Sequence, residues 1–579
     1  MRLWLKPGFW AILFLFLLSI PALYSLSLDG FYTSHDGVTH TARIAQYYKA
    51  LKDGQFPPRF ADSFYNGIGS PIFVYIYPLP YLFGSIIHAL GFSFVDSFKI
   101  LMAGGFILSA VFSYFWLIEV FKSPRAALVG AIFYVWVPYR FSLIYVRASL
   151  SELLAYTFVP LALFALTKLC KTTQIKWVAV SAVSFALVLL SQNLVALISA
   201  PVILGYAYIL ALLAKSPKVF FLTTVAVAWG IVISAVTYLP SLFERNFVKI
   251  DDLIQHQFVH HFVTIKQLIR SPWGYGFDLS GVANDQMSFQ VGLAHILVIV
   301  IALGFLIWQL FVKKTLFFLN KPSKKTLTIL FYFLVVICLF TFMMLESELV
   351  KSIWETVKPL QIIDIPWRLL GIVTLSTAFL SAFVVKNIRS PLFALFLVFA
   401  VIVANRNHLR INEKVFYADK FFLEYSDTGT QYGEFSTIWR SYLSAPKNID
   451  PDVKFETFTG KASIIEQFSK SNLLKFTADV ETSEALIKIN KIYFPGVKVV
   501  LNKNELQPFS EVIIPSGEPS YSKEDNGLMI VPVKKGVNKV EVIFGETKLR
   551  QFANFLSLGS FLFAVSVIFA FRKNTENAY

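Results

Sequence analysis

Residues 194–239 read LVALISAPVILGYAYILALLA, KSPK and VFFLTTVAVAWGIVISAVTYL: two mostly apolar runs, 194–214 and 219–239, joined by four residues that carry two lysines. Wound as a helix, each run comes to roughly 30 Å, the thickness of a bilayer's hydrocarbon layer. Only helices and closed barrels satisfy their own backbone polar groups in lipid, and neither run alternates with the period of two that a barrel strand requires. The pattern is a helical hairpin through a membrane.

The same unit recurs along the 579 residues, 56% of them hydrophobic, at a mean hydropathy of +0.61. Twelve spans are expected, near 9–28, 97–121, 126–143, 153–169, 176–191, 194–214, 219–239, 288–311, 326–345, 367–385, 390–405 and 551–571. The first lacks a small-residue cleavage site and reads as a retained signal anchor. Segment 71–91 is also apolar, but Pro71, Pro78 and Pro80 weaken a helix there, and counting it would reverse every later loop. It reads as a juxtamembrane or re-entrant element.

The net charge of +16 is a topology signal. Seven short segments (1–8, 122–125, 168–176, 215–218, 313–325, 386–389 and 572–579) hold 18 Lys and Arg against one acid, Glu576. The rest of the chain is close to neutral. Short basic loops set orientation, so these segments and both termini are expected on the cytoplasmic side of a cytoplasmic membrane. Nucleic acid is not an expected partner; membrane lipid is. Cys170 and Cys338 offer neither a disulfide framework nor metal-ligand spacing.

Three outer segments follow: 29–91, 240–287 and 406–550. The third changes composition to short β-prone runs, 453–458, 474–480, 485–494, 497–501 and 539–544, with turn residues such as Pro495-Gly496 and Asn526-Gly527 between them. The expected architecture is a polytopic α-helical bundle over 1–405, an extracytoplasmic all-β, sandwich-like domain over 406–550, and a final helix with a cytoplasmic tail over 551–579.

Chemistry concentrates in Ser34-His35-Asp36-Gly37-Val38-Thr39-His40-Thr41-Ala42-Arg43, directly after the first span. If 37–53 is helical, Asp36, His40, Arg43 and Tyr47 share one face, and Val38, Ala45, Tyr48 and Leu51 supply an apolar side. A carboxylate there suits a general base towards a hydroxyl acceptor, with cations nearby for an anionic donor. The bland alternative is that Asp36 only caps the helix. Arg147 and Glu152, in Arg147-Ala148-Ser149-Leu150-Ser151-Glu152, form either a functional pair at a bundle mouth or a structural anchor. Asp364 and Arg368, in Asp364-Ile365-Pro366-Trp367-Arg368, are expected to face the same outer cavity as Asp36, or to be ordinary interfacial anchors. His256, His260 and His261 permit a divalent metal without completing a ligand set. No P-loop, dinucleotide glycine pattern or nucleophile elbow is present.

Taken in order, Ser34-His35-Asp36-Gly37, Gly54-Gln55-Phe56-Pro57-Pro58-Arg59, Gly67-Ile68-Gly69-Ser70-Pro71, Tyr75-Ile76-Tyr77-Pro78-Leu79-Pro80, the Arg147–Glu152 motif and Ile365-Pro366-Trp367-Arg368 resemble membrane proteins labelled 6-pyruvoyl-tetrahydropterin-synthase-related. Those are similar in turn to the YfhO-like proteins and to the GT-C class of glycosyltransferases. Tyr493-Phe494-Pro495-Gly496-Val497 resembles the Tyr-Pro-Gly-Trp element of the YfhO-like outer domain, with Val497 in place of Trp. The pterin label implies no activity here, because the zinc histidines of such an enzyme are missing. The GT-C plan implies a polyprenyl-phosphate-linked sugar as donor, an extracytoplasmic glycan, lipid or protein as acceptor, an inverting transfer, and a catalytic acid that falls on Asp36. His35, His40, Arg43, Arg147, Glu152, Asp364 and Arg368 are then the substrate-binding candidates. A non-catalytic membrane scaffold or carrier of lipid-linked glycans is the alternative. A secondary transporter fits less well, since the ionisable residues gather at helix ends and not at the midplane.

Overall fold

The computed structural model describes residues 7–254, 256–278, 286–311, 319–440, 443–444, 449–505 and 527–571. Among them, eight helices are long and apolar enough to cross a membrane, and up to ten if each of two bent pairs is one span. This replaces the twelve spans expected. Ile175–Ser191 and Leu293–Gln309 sit at expected positions, but seventeen residues come to only about 26 Å. The first bent pair, Pro124–Val135 and Pro138–Val146, turns by 50°. Pro138 drives the turn, because a proline pushes the preceding residue out of the helical region, and Val137 is extended at φ −138, ψ 146. The second pair, Pro217–Ile233 and Ala235–Phe243, turns by 72°. There Ser234 bonds back through Oγ to the Gly230 carbonyl at 3.0 Å, an interaction that bends helices.

Segment 71–91 folds as a turn of helix, Ile72–Tyr75, and the eleven-residue helix Leu79–Ala89. At about 16 Å the latter is half a bilayer core. The two ends of the bundle differ in character. At one, Lys122, Lys168 and Lys171 converge on the Glu119 carboxylate, each at 2.8 Å. At the other, the helix Gly37–Lys52 lies under chain that follows the Pro391–Asn405 helix. A two-stranded ribbon ties these together, β1 (Phe31–Tyr32) against β2 (Lys414–Val415).

The remaining strands are β3 (Phe455–Thr459), β4 (Ala462–Lys470), β5 (Leu473–Ile492), β6 (Val497–Leu501), β7 (Asn504–Glu505) and β8 (Leu528–Phe544), in one six-stranded sheet ordered β3-β5-β8-β6-β7 with β4 also on β5. All pairs are antiparallel. The sequence runs 474–480 and 485–494 are therefore one strand and not two. A register shift between Val480 and Glu484 separates them, and it switches the buried set from Leu474, Phe476, Ala478 and Val480 to Ala485, Ile487 and Ile489. In β8 the buried set changes parity too, from Met529, Val531 and Val533 to Val540 and Val542, with Gly536 at φ +99 between them. An extra residue bends a strand and flips its faces. The long β5–β8 ribbon thus folds over a single apolar core.

This sheet is fastened to the first outer segment. Lys491 is paired with Asp62 and donates to the Gly67 carbonyl at 2.6 Å. The Ile492 amide donates to the Ile68 carbonyl at 3.0 Å. Asp62 also takes Lys49 at 2.7 Å, and the two ammonium groups outweigh burial, holding its carboxyl well below the usual range. Arg59 reaches Glu546 at 2.9 Å and Asn554 at 2.7 Å, which binds the segment to the last helix, Lys548–Ala570.

Candidate active site

The loop before the Gly37–Lys52 helix is held by main chain. The His35 amide donates to the Val146 carbonyl at 3.1 Å and the Asp36 amide to the Arg147 carbonyl at 2.8 Å. Two motifs more than a hundred residues apart are thereby in register. Ala148 lies at φ +53, and its methyl is among the atoms nearest to where a Cβ on Gly37 would stand. A Cβ at 37 would stand 2.5 Å from Ser34 Oγ and 2.9 Å from the Phe31 ring as well, so a larger residue there crowds the loop. Asp36 occupies the N-cap position but makes no side-chain cap hydrogen bond. Among the described residues its half-buried carboxylate has no hydrogen-bond or ion-pair partner. The capping reading is therefore not what the structure shows.

From Arg147 a chain of charges runs inward. Its Nη1 donates to Glu152 Oε2 at 2.8 Å, with side-chain exposures of 4% and 0%, so both ends of the pair are out of water. Glu152 also accepts from the Tyr139 hydroxyl, and the Arg368 Nε lies 3.8 Å from it. Arg368 in turn holds Asp364 at 2.5 Å. The Arg147 guanidinium lies 4.9 Å from the centre of the Trp367 ring, whose indole N–H donates to Asp278 at 2.8 Å. Asp278 is also paired with His261. Burial alone would raise its pKa, but these two donors keep it lowered and ionised.

His35 and His40 serve as struts. His35 Nε2–H reaches the carbonyls of Tyr275 at 3.2 Å and Gly276 at 3.0 Å, and its ring stacks on Phe277 at 4.3 Å. The second outer segment therefore lies over the Asp36 loop. Arg43 Nη1 donates to the Tyr81 hydroxyl at 3.1 Å, which leaves that O–H to donate to His40 Nδ1 at 3.2 Å. Burial, then the charges of Arg43 and Arg147, lower the pKa of His40 and keep it neutral. Arg43 is fixed further by Nε and Nη2 on the Gly429 carbonyl, at 2.9 and 2.7 Å.

Beside this network a groove of about 810 Å³ opens along the bundle. Its apolar wall includes Phe185, Leu189, Leu194, Leu197 and Ile231, from helices that carry the membrane-spanning pattern. Its polar end has four cations, Arg43, Arg245, Lys358 and Arg368, against three carboxylates, Asp251, Asp364 and Glu434, one positive charge in excess. Arg368 Nε is buried, has no hydrogen-bond partner among the described residues and lies 3.8 Å from Glu152 Oε2.

Of the residues expected at the site, Arg43, Asp364 and Arg368 line the groove, whereas Asp36, His35, His40, Arg147 and Glu152 do not. The expectation that Asp36 shares one cavity with Asp364 and Arg368 is corrected: Asp36 is not among the residues that line the groove those two share. The link is the relay Arg147–Glu152–Arg368. The Arg147–Glu152 pair is also deeper than a bundle mouth. Sequence reasoning missed Tyr81, Tyr139 and Asp278. Tyr139 lies next to Pro138 at a helix break, which was a usable signal; Tyr81 and Asp278 carried none. No group of three His, Cys, Asp or Glu side chains able to hold a metal occurs among the described residues, and His261 is engaged with Asp278.

Fold and site together define a multi-pass membrane protein, helical through the bilayer, with an antiparallel β sheet packed on one end. No protein-family model and no curated protein matches the chain. Among solved structures it is similar to the mycobacterial arabinofuranosyltransferase AftD, at TM-score 0.41 and 15% identity over 69% of this chain and 26% of that one. It is also similar to the Archaeoglobus fulgidus oligosaccharyltransferase in its apo form, at TM-score 0.41 and 12% identity over 70% of this chain and 56% of that one. The chain thus spans about a quarter of the first and just over half of the second. The site's own geometry, and not these similarities, carries the functional reading.

Proposed function

We propose that this protein is a GT-C-type glycosyltransferase that moves a sugar from a polyprenyl-phosphate carrier to a hydroxyl acceptor outside the cytoplasmic membrane. The observation that carries it is the pairing of a groove, apolar along membrane helices and cationic at one end, with an uncommitted carboxylate one ion-pair relay away. A prenyl chain fits the Leu189–Leu197 wall, and its phosphate fits the end that Arg368 and Arg43 line, where Arg43 is fixed by Tyr81 and Gly429. Guanidinium donors suit phosphate oxygens.

In the reaction the acceptor oxygen bonds to the anomeric carbon as the bond from that carbon to the phosphate oxygen breaks. The electron pair leaves with the polyprenyl phosphate, which Arg368 and Arg43 stabilise, and the acceptor's proton passes to Asp36. A single displacement inverts the anomeric centre. Arg147, held by Glu152, lies next to the Asp36 loop. Under this reading the basic end of the bundle faces the cytoplasm and the β sheet faces out, as short basic loops favour.

Asp36→Asn tests the proposal. General base catalysis is worth about 10²–10⁴ in rate, so transfer from a polyprenyl-phosphate sugar should drop by that factor while binding of polyprenyl phosphate alone stays within twofold. Unchanged transfer in a correctly inserted variant overturns Asp36 as base and favours the scaffold.

A further inference from the structure

At the basic end of the bundle, three lysines from two helix ends meet one acid. Lys122 follows the Phe94–Phe121 helix at φ +51, and Lys168 and Lys171 lie in the last two turns of Leu150–Thr172. All three reach the Glu119 carboxylate, which is 8% exposed, while their own side chains are 64%, 30% and 31% exposed. One lysine would balance that carboxylate. Among the described residues, two positive charges are left over, and Lys325, at the start of the Lys324–Met343 helix, adds its field at Lys171. Like charges held inside a Debye length, about 10 Å at 0.1 M salt, repel one another. Each ammonium also carries three N–H donors. Lys122 and Lys168 spend one each on Glu119, and Lys171 spends two, on the carboxylate and on the Glu119 carbonyl. The remaining donors sit on partly exposed side chains, within reach of an anion that arrives from outside the fold.

The place of the cluster narrows which anion. Both helices carry the membrane-spanning pattern, so their last turns lie where hydrocarbon gives way to headgroups. Lys168 Nζ lies 5.9 Å from the centres of the Phe164 and Trp177 rings, and tryptophan is at home at that level. A track of rings leads away from the lysines, Trp177 on Phe164 at 5.7 Å and Phe164 on Phe115 at 6.0 Å. All three rings are half-buried and so reach the outer face of the bundle. A soluble phosphate would use the lysines alone. A phospholipid uses both features, its phosphate on the ammonium groups and an acyl chain on the rings. We infer that Lys122, Lys168 and Lys171 hold the phosphate of an anionic phospholipid, with one acyl chain laid along Trp177, Phe164 and Phe115. The site lies at the opposite end of the bundle from the Asp36 loop and does not depend on the glycosyltransferase reading.

The test uses the full chain in phosphatidylcholine nanodiscs doped with phosphatidylglycerol brominated on its acyl chains, which quenches a tryptophan it touches. The Trp177 signal is the difference between the wild type and Trp177→Phe. Brominated phosphatidylglycerol should quench that signal at a lower mole fraction than brominated phosphatidylcholine, by about fivefold for each lysine engaged. Lys122→Gln should cut the preference about fivefold, and Lys122→Gln with Lys168→Gln about 25-fold; Lys171 still pairs with Glu119 in both. Lys215→Gln with Lys218→Gln, in the short loop after the Asn193–Ala214 helix at the same end, should leave it unchanged. Equal quenching by the two lipids overturns the inference, as does a preference that survives the Lys122 and Lys168 variants or falls as far in the Lys215 and Lys218 variant. Reversal by millimolar inorganic phosphate overturns the lipid and gives the lysines to a soluble anion.

Discussion

Replacing Glu152 with Gln removes the charge on which Arg147 depends. The carboxylate accepts Arg147 Nη1 at 2.8 Å and the Tyr139 hydroxyl, and Arg368 Nε lies at 3.8 Å. An amide there keeps one oxygen, for Tyr139, and turns its NH₂ towards Arg147, donor against donor. Arg147 cannot reach water, since its side chain is 4% exposed, and Trp367 at 4.9 Å offers only a cation–π contact, worth about 1–2 kcal/mol. Arg368 is less affected, because Asp364 still holds it at 2.5 Å. Breaking a buried pair in this way costs about 3–5 kcal/mol, or roughly two to four decades in the unfolding constant. Arg147→Met together with Glu152→Gln removes the stranded charge as well, so the double variant should recover about 2–3 kcal/mol relative to Glu152→Gln alone. Unfolding free energies of the two single variants and the double variant in bicelles give the cycle. Additive losses, or a loss below about 1 kcal/mol for Glu152→Gln, refute the claim that this glutamate holds the arginine in place.

Three further outcomes follow from the geometry. Burial lowers the pKa values of His35 and His40 below the ordinary 6.5, so the unfolded chain takes up protons that the fold refuses. Stability should therefore fall as pH drops below 6.5, most steeply through His40, by up to about 1.4 kcal/mol per pH unit, and His40→Gln should flatten the slope of the unfolding midpoint over that window. Lys491→Met leaves Asp62 with Lys49 alone, and at a cost of about 2 kcal/mol the sheet should loosen. Hydrogen exchange at the Ile492 amide, bonded to Ile68, should quicken about 30-fold. Leu197→Trp narrows the apolar wall and should weaken a long polyprenyl phosphate at least tenfold while changing farnesyl phosphate little, by titration into nanodiscs.

The helices were legible because lipid leaves few choices. A run such as 194–214 has no other way to satisfy its backbone, and ten of the twelve expected spans fall on helices or bent helix pairs long and apolar enough to cross. What composition did not carry was continuity. The break at Trp136–Val137 depends on one proline, and that at Ser234 on one hydroxyl, so spans read as rods are bent. The sheet was legible as strands but not as one ribbon, since the shift at Val480–Glu484 resembles a turn when only alternation is counted. At the site, helical spacing brought His40 and Arg43 to a common partner, and motif order picked out Asp36, Arg147 and Arg368. Asp278 and the Gly429 carbonyl reach the network only through long-range packing, which no local pattern encodes.

The placement of Asp36 outside the groove bears on how such a site keeps its reactants apart. A carboxylate set directly among Arg43 and Arg368 would pair with them, and a phosphate entering later would have to break that pair. Here Asp364 and Glu152 neutralise Arg368 instead, and Glu152 takes up Arg147, the cation next to the Asp36 loop. The Asp36 amide is bonded to the Arg147 carbonyl, so the loop is fixed while its carboxylate stays uncommitted. An anionic donor can then enter the groove without the base competing for its cations, and the acceptor hydroxyl has to bridge the two, with its oxygen on the donor's anomeric carbon and its proton towards Asp36. Glu152 is the residue that makes this division possible.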